Sequence, residues 1–248
     1  MKKFGLIGHP IAHSLSPALF KAAYDGKYAY DLIEGGDFET SYRRFIEEYD
    51  AINVTAPFKE AAFAKADILS EECASTGATN LLVKTPEGIK AYNSDFLGVR
   101  MWLSEVTEDL KGVKILIVGL GGAGKAAAAA AESLGMDVIR MNRTVRDSQT
   151  HPLDDFRKCF RKANIIIYNI PAAIPELKEL TDSDFNEDKP KLILEANYKD
   201  PSLRETMESF GSKAVYTGGE TWLLYQAMTG YEILTGEKPD LRRMSDVL

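Results

Sequence analysis

The sequence predicts an α/β protein made of two α/β domains, and three features carry that expectation. Short apolar strands alternate with helical segments along most of the chain, as in sheets covered by helices. Late in the first half, "NLLVK" and "IKAYN" are joined by a Pro-Glu-Gly turn and read as a hairpin, which makes the first sheet mixed. Near Leu110 the grammar changes. "VKILIVG" is a nearly continuous apolar strand, expected where both faces of a parallel sheet are covered, so the second half reads as doubly wound.

In the first half, "KFGLIG" is a buried strand ended by Gly8. "LSPALFKAAY" follows as a helix, with Ser16 placed as N-cap and Pro17 as first helical residue. "YAYDLIE" is a second strand. "FETSYRRFIEEY" places Phe38, Tyr42, Phe45, Ile46 and Tyr49 at helical spacing. "AINVT" is a third strand, followed by a turn at Pro57 and a helix "EAAFAKADIL". In the second half, "LGGAGKAAAAAAESLG" is a helix and "MDVIRMN" a strand; "NIIIYNI" and "KLILEAN" are further buried strands. After "VYTGGE" come one helix, "TWLLYQAMTGYEILTG", and a polar tail whose last few residues read as disordered.

Composition narrows the class of function. With 45% hydrophobic and 27% charged residues, the 248-residue chain is an ordinary globular protein, long enough for one large domain or two modest ones. A net charge of -7 and no basic tract argue against nucleic acid as a partner. No apolar run approaches a membrane span, and the short apolar start is broken by Gly8 and Pro10, so neither a signal peptide nor a membrane partner is expected. Two distant cysteines, Cys73 and Cys159, and three histidines fall in no metal-type spacing. The reading is a cytoplasmic protein with reduced thiols and no metal. Monomer and homodimer both remain open.

"GLGGAGKA" holds Gly119, Gly121 and Gly124 in G-x-G-x-x-G order. Alone that pattern is weak; directly after a strand and at the start of a helix it is a dinucleotide fingerprint of the Rossmann type. Gly119 would permit the tight turn, Gly121 the approach of a pyrophosphate, and Gly124 close helix packing, with Gly122 and Ala123 completing the turn. The end of the next strand reports the cofactor. NAD sites usually carry a carboxylate there; here the segment reads "MNRTVRD", with Asn142, Arg143, Thr144 and Arg146. A carboxylate repels a 2′-phosphate and a guanidinium clamps it, so NADP is favoured. A solvated loop is the bland alternative for both arginines.

Four polar clusters, "HSLSP", "NVTAPFK", "GATN" and "NSD", fall near strand ends of the first half. Their hydroxyls and amides donate and accept hydrogen bonds, which suits a polyhydroxylated small-molecule substrate carrying a carboxylate. Lys59 and Asp95 are the one acid–base pair among them, fit to deliver a proton when a carbonyl is reduced. Lys59 is also out of place at a helix start, where cations are disfavoured. Each residue has a structural alternative. Ser16 would cap its helix and Asp95 the next one. Asn53, Thr55, Asn80 and Asn93 would satisfy turn backbone.

Taken together, these clusters resemble the shikimate dehydrogenase family, in the right order and over most of the chain. "HSLSP" is similar to its serine-x-serine motif and "NVTAPFK" to its Asn-Val-Thr-x-Pro-x-Lys signature. "GATN" and "NSDFLG" resemble its Gly-Ala-x-Asn and Asn-Thr-Asp-x-x-Gly segments. "GLGGAGKA" with "NRT" fits its NADP domain, and "GGETWLLYQA" its late helix. The resemblance implies reversible NADPH-dependent reduction of 3-dehydroshikimate to shikimate, in the shikimate pathway of aromatic amino acid biosynthesis. It makes Lys59 and Asp95 the catalytic pair. Ser14 and Ser16 would hold the carboxylate with Tyr198 near it, and Thr55, Asn80 and Gln226 the ring hydroxyls. Gly219 would join the cofactor residues. The implied fold has a substrate domain of residues 1–98 plus 222–248, an NADP domain of residues 99–221, a site in the cleft between them, and a last helix returning to the first domain.

The chain departs from the family pattern at "NIPAAIP", where Ile170 replaces a small residue, and at Glu195, Leu81 and Trp222. It is also lean between Arg143 and Phe160. These changes surround the nicotinamide more than the substrate. Two alternatives stay open: a quinate or aminoshikimate dehydrogenase, and a low-turnover shikimate- or NADP-binding paralogue.

Overall fold

The computed structural model describes residues 2–248. They form two compact units. One runs to Gly98 and resumes at Leu224–Leu248; the other is Val99–Leu223. No helix among the described residues is long and apolar enough to cross a membrane.

The first unit begins with β1 (Lys3–Gly8), α1 (Ser16–Ala23), β2 (Ala29–Glu34), α2 (Phe38–Glu48) and β3 (Ala51–Val54). Then come α3 (Lys59–Ala64), β4 (Ile68–Leu69), α4 (Glu71–Thr76), the hairpin β5 (Leu81–Thr85) and β6 (Gly88–Tyr92), and the start of α5 (Ser94–Val106), whose residues from Val99 on belong to the second unit. The sheet order is β2-β1-β3-β5-β6-β4. β1, β2 and β3 run parallel, whereas β5 is antiparallel to both β3 and β6. Helices cover both faces because the strands alternate. Ile7, Ile33, Ile52 and Val54 pack with Phe38, Phe45 and Phe58 on one side, while Phe4 meets Phe20 of α1 on the other, ring centroids 5.4 Å apart.

Three local expectations change. The helix expected over residues 60–69 stops at Ala64, because Ile68 and Leu69 pair with Lys90 and Ala91 as an edge strand. Ile46, expected on the buried face of α2, is 41% exposed. Ser16 lies inside α1 and is not its N-cap: Leu15 is, without a side-chain bond, and the Ser16 N–H donates to Ser14 Oγ at 3.2 Å.

The second unit contains β7 (Lys114–Val118), α6 (Gly122–Ser133), β8 (Asp137–Met141), β9 (Thr150–His151), α7 (Phe156–Lys162) and β10 (Ile165–Tyr168). It continues with β11 (Lys191–Glu195), α8 (Arg204–Glu208) and β12 (Ala214–Thr217). All six strands are parallel, in the order β12-β11-β10-β7-β8-β9. Counted from β7, that is the doubly wound order with its switch point between β7 and β10. One face buries Leu116, Val118, Ile166 and Ile193 with Phe156, Phe160, Leu177 and Leu180; the alanine-rich α6 packs on β7 and β8.

The chain ends with α9 (Gly219–Thr235) and α10 (Leu241–Ser245). The later part of α9 lies in the first unit, as expected of a returning helix. Tyr231 OH donates to Ser16 O at 3.0 Å, and the Tyr231 and Phe20 rings meet at 4.8 Å. The expected disordered tail is instead ordered. Asp240 caps α10 by accepting the Arg243 N–H, and Met244 is fully buried.

Candidate active site

In the first unit the antiparallel β5 decides where the polar clusters meet. Its N-terminus, not its C-terminus, lies beside the C-terminal ends of β3 and β6: Asn53 pairs with Leu81, and Leu81 with Tyr92. Val54 N–H donates to Asn80 O at 2.8 Å, Asn80 N–H to Tyr92 O at 3.2 Å, and Thr55 N–H to Ile7 O at 2.9 Å. "NVT", "GATN" and "NSD" therefore share one sheet edge with the loop that follows β1.

On that edge Lys59 Nζ lies 2.5 Å from Asp95 Oδ2. Lys59 is the first residue of α3; Asp95 is in the first turn of α5, where a carboxylate is stabilised by the positive helix end. The capping alternative for Asp95 does not hold, because Asn93 Oδ1 accepts the Phe96 N–H at 3.2 Å. Asn93 is thus the structural residue of its cluster, its amide also donating to Ala78 O at 3.1 Å. The Lys59 and Asp95 side chains are 24% and 10% exposed, so the pair is shielded without being sealed.

Most of the other predicted substrate residues pair with one another or with Ser94. Ser14 Oγ donates to Ser16 Oγ at 3.1 Å, so the two predicted carboxylate-binding hydroxyls are brought together. The Thr55 methyl faces Gly8, where an added Cβ would stand 2.3 Å from it; the Thr55 hydroxyl has no hydrogen-bond partner among the described residues. Asn80 and Gln226 converge on Ser94, at 3.0 Å and 3.3 Å from its hydroxyl. Two participants escaped the sequence reading. Ser94 was hidden between its named neighbours Asn93 and Asp95, and Tyr30, on β2, donates to Asn53 Oδ1 at 2.8 Å. No sequence spacing signals a pair 23 residues apart.

In the second unit the three fingerprint glycines separate by cause. Gly119 has φ +87°, open to glycine at no steric cost. At Gly124 a Cβ would fall 1.8 Å from Gly119 O, so the helix lies directly on the turn. At Gly121 a Cβ would meet nothing within 4 Å. The protein's own packing does not require that glycine; the space before the helix stays open for something else. Gly121 is also the N-cap of α6 and makes no side-chain cap, so the first N–H groups of the helix face that space. Gly122 is exposed and Ala123 half-buried in the same turn.

Asn142 joins the turn to the next strand end: its Oδ1 accepts the Leu120 N–H at 3.4 Å and its amide donates to Thr144 O at 3.2 Å. Arg143, Thr144 and Arg146 are exposed, and neither arginine forms an ion pair among the described residues. Across the switch point Asn169 Oδ1 is buried with no donor among the described residues. An uncapped helix start, an open cradle, an orphaned acceptor and two unpaired guanidinium groups fit a phosphorylated dinucleotide.

Tyr198 also lies in this unit, with burial raising its hydroxyl pKa. The loop carrying it is held by Glu195, fully buried, which accepts from Ser202 N at 2.6 Å, Leu203 N at 3.1 Å and Tyr216 OH at 2.7 Å. Gly219 has a packing reason: a Cβ there would stand 2.6 Å from both Ala196 O and Tyr198 N. Ile170 packs on the glycine turn, its Cγ1 3.0 Å from where a Gly119 Cβ would be.

A doubly wound sheet with this turn, in a chain that also presents a lysine–aspartate pair among hydroxyls and amides, defines a nicotinamide-dependent oxidoreductase. Residues 6–82 match the family model for the shikimate dehydrogenase substrate binding domain, and residues 99–194 that for the NAD binding domain of D-isomer specific 2-hydroxyacid dehydrogenases. A shikimate dehydrogenase (NADP(+)) of Staphylococcus aureus (strain bovine RF122 / ET3-1) is 30% identical over 264 residues, covering 98% of this chain and 96% of that protein. One from Thermotoga maritima is 29% identical, covering 93% and 92%. The crystal structure of shikimate 5-dehydrogenase from Thermus thermophilus, in complex with NADP(H) and shikimate, superposes with a TM-score of 0.79 at 27% identity, covering 100% of this chain and 98% of that one. The chain belongs to the shikimate dehydrogenase family.

Proposed function

We propose that the protein is an NADP-dependent shikimate dehydrogenase that interconverts 3-dehydroshikimate and shikimate in aromatic amino acid biosynthesis. The observation that carries the reading is the 2.5 Å Lys59–Asp95 pair, set on a sheet edge lined by hydroxyls and amides. When bound, NADPH supplies the hydride. Lys59 Nζ gives its proton to the carbonyl oxygen as the alcohol forms, and takes it back in the oxidative direction. Asp95 accepts from the ammonium and orients it, and a proton from solvent recharges Lys59 before the next turnover. Ser16, whose hydroxyl accepts from Ser14, donates to the carboxylate, and Ser14 orients it there. Thr55, Asn80 and Gln226 hold ring oxygens, and Tyr198 supports the carboxylate end. Gly121 to Gly124 at the start of α6 hold the pyrophosphate, with Asn142 and Gly219 shaping the site. Arg143 and Arg146, with Thr144 beside them, hold the 2′-phosphate that distinguishes NADP from NAD.

The test is direct. Purified protein is given NADP or NAD with shikimate or quinate, and reduced nicotinamide is followed by absorbance. NADP with shikimate is expected to be the best pair. Measurable shikimate binding without turnover in any pair would reject the dehydrogenase reading and leave a binding protein.

A further inference from the structure

Tyr30 stands on β2 and Asn53 on β3, with β1 between them. Tyr30 is level with Phe4 and Asn53 with Leu6, so both side chains leave the same face of the sheet. Two strand spacings, about 9–10 Å, separate their strands. A tyrosine is long enough to reach across, and its hydroxyl donates to Asn53 Oδ1 at 2.8 Å. The ring is held against Phe20 and Tyr231, with centroids 4.6 Å and 6.1 Å away. Burial raises the phenol pKa well above its usual value, so the hydroxyl keeps its proton and acts as a donor.

An amide oxygen only accepts, so this bond takes up Asn53 Oδ1 and turns the amide nitrogen away from Tyr30. Asn53 Nδ2 donates to no group among the described residues and is not sealed from solvent, although the residue is only 7% exposed. Thr55 follows two residues on along extended backbone, held in the ladder by its N–H to Ile7 O at 2.9 Å. Residues two apart on a strand face the same way. The Asn53 N–H pair therefore opens on the side of the sheet that Thr55 faces.

We propose that Tyr30 is a positioning residue for the substrate: by holding Asn53 Oδ1 it presents the Asn53 N–H groups as donors to a ligand oxygen beside Thr55. Tyr30 itself does not touch the ligand. Without the phenol, the amide presents its N–H groups only by leaving Asn53 Oδ1 against an aromatic ring with no donor, and an unsatisfied acceptor in such a place is costly. The inference rests on the reading of this edge as a shikimate site. It gives the asparagine of "NVTAPFK" a ligand-facing role in place of a turn-backbone one.

The experiment is a double-mutant cycle on the full chain, read by calorimetric binding of shikimate to the wild type, Tyr30→Phe, Asn53→Ala and the double variant. Tyr30→Phe keeps the ring and removes the hydroxyl. It should weaken binding by about three- to ten-fold, the net weight of one hydrogen bond. In the Asn53→Ala background the same change should do nothing, because the amide that Tyr30 positions is gone. A merely structural tyrosine would cost the same factor in both backgrounds. That result, or an unchanged affinity in Tyr30→Phe, would overturn the proposal. Should Tyr30→Phe fail to fold, Tyr30→Met fills the space without a donor and enters the same cycle with the same two outcomes. In the wild type, the Asn53 side-chain amide protons should shift in the NMR spectrum when shikimate is added; an unmoved pair rejects the proposal equally. Binding needs no turnover, so an inert protein that binds shikimate with this coupling fails the dehydrogenase reading alone. A protein that binds no shikimate overturns both.

Discussion

Lys59 is a cation on the first turn of a helix, and a helix start does not favour one. Asp95 at 2.5 Å explains how it is tolerated and what it is aimed beside. Lys59→Ala should lower kcat by about 10²- to 10⁴-fold, the usual weight of a positioned acid–base group, while calorimetric shikimate binding changes far less. An unchanged kcat would remove Lys59 from proton transfer. Arg143 is the corresponding residue for the coenzyme. Charge-assisted bonds to a phosphate contribute about 1.5–3 kcal/mol, so Arg143→Ala should weaken NADP by roughly ten-fold or more and leave NAD nearly unaffected. Equal weakening of both coenzymes would count against a 2′-phosphate contact. Both residues were legible because their type is unusual for their place. Ser94 and Tyr30 were not, since their roles depend on partners 132 and 23 residues away.

At the scale of elements, the glycine turn carries two jobs that substitution can separate. A methyl at Gly124 collides with Gly119 O at 1.8 Å, and backbone on both sides cannot give way cheaply. Gly124→Ala should therefore lower the melting temperature by several degrees, a core-overpacking effect of about 1–3 kcal/mol. A methyl at Gly121 meets nothing within 4 Å, and its φ of −71° suits any residue. Gly121→Ala should leave the melting temperature nearly unchanged and weaken NADP binding. A large thermal loss in Gly121→Ala, or unchanged coenzyme affinity, would contradict a space kept open for pyrophosphate. Strands with strong apolar runs and the Pro-Glu-Gly hairpin were readable from local pattern. β4 was not: two residues in an alanine-rich stretch look helical until β6 supplies their partner. Ser16 was misplaced as a cap because serine before proline is a sound local signal, and only the structure shows Ser14 taking that N–H. α10 was missed because one buried methionine in five residues makes no period.

For the molecule as a whole, fold class was legible and strand order was not. Periodicity reports which residues are buried, not which strand lies beside which, so the reversal of β5 that assembles the polar edge had to come from the register. Lys191 shows the same limit. At the head of an apolar strand it reads as a solvent-facing end, yet it is fully buried. Its Nζ donates to Ala163 O at 2.5 Å, beyond the C-terminus of α7, and sits 5.2 Å from the Phe160 ring centroid. Desolvation lowers its pKa from 10.5 to about 8, with Asp184 pulling weakly the other way. Below about pH 8 the native side chain is charged and the cost of its burial is present in full. Between about 8 and 10.5 the native state has released a proton that the unfolded chain still holds, so this group makes stability rise with pH. Lys191→Met abolishes that titration and leaves the other groups in place. In urea unfolding, the stability of the wild type relative to Lys191→Met should increase from near pH 7 to near pH 10, by up to about 3 kcal/mol. A difference that stays flat or falls over that range would mean that Lys191 keeps its proton in the native state, held there by the carbonyls at the end of α7.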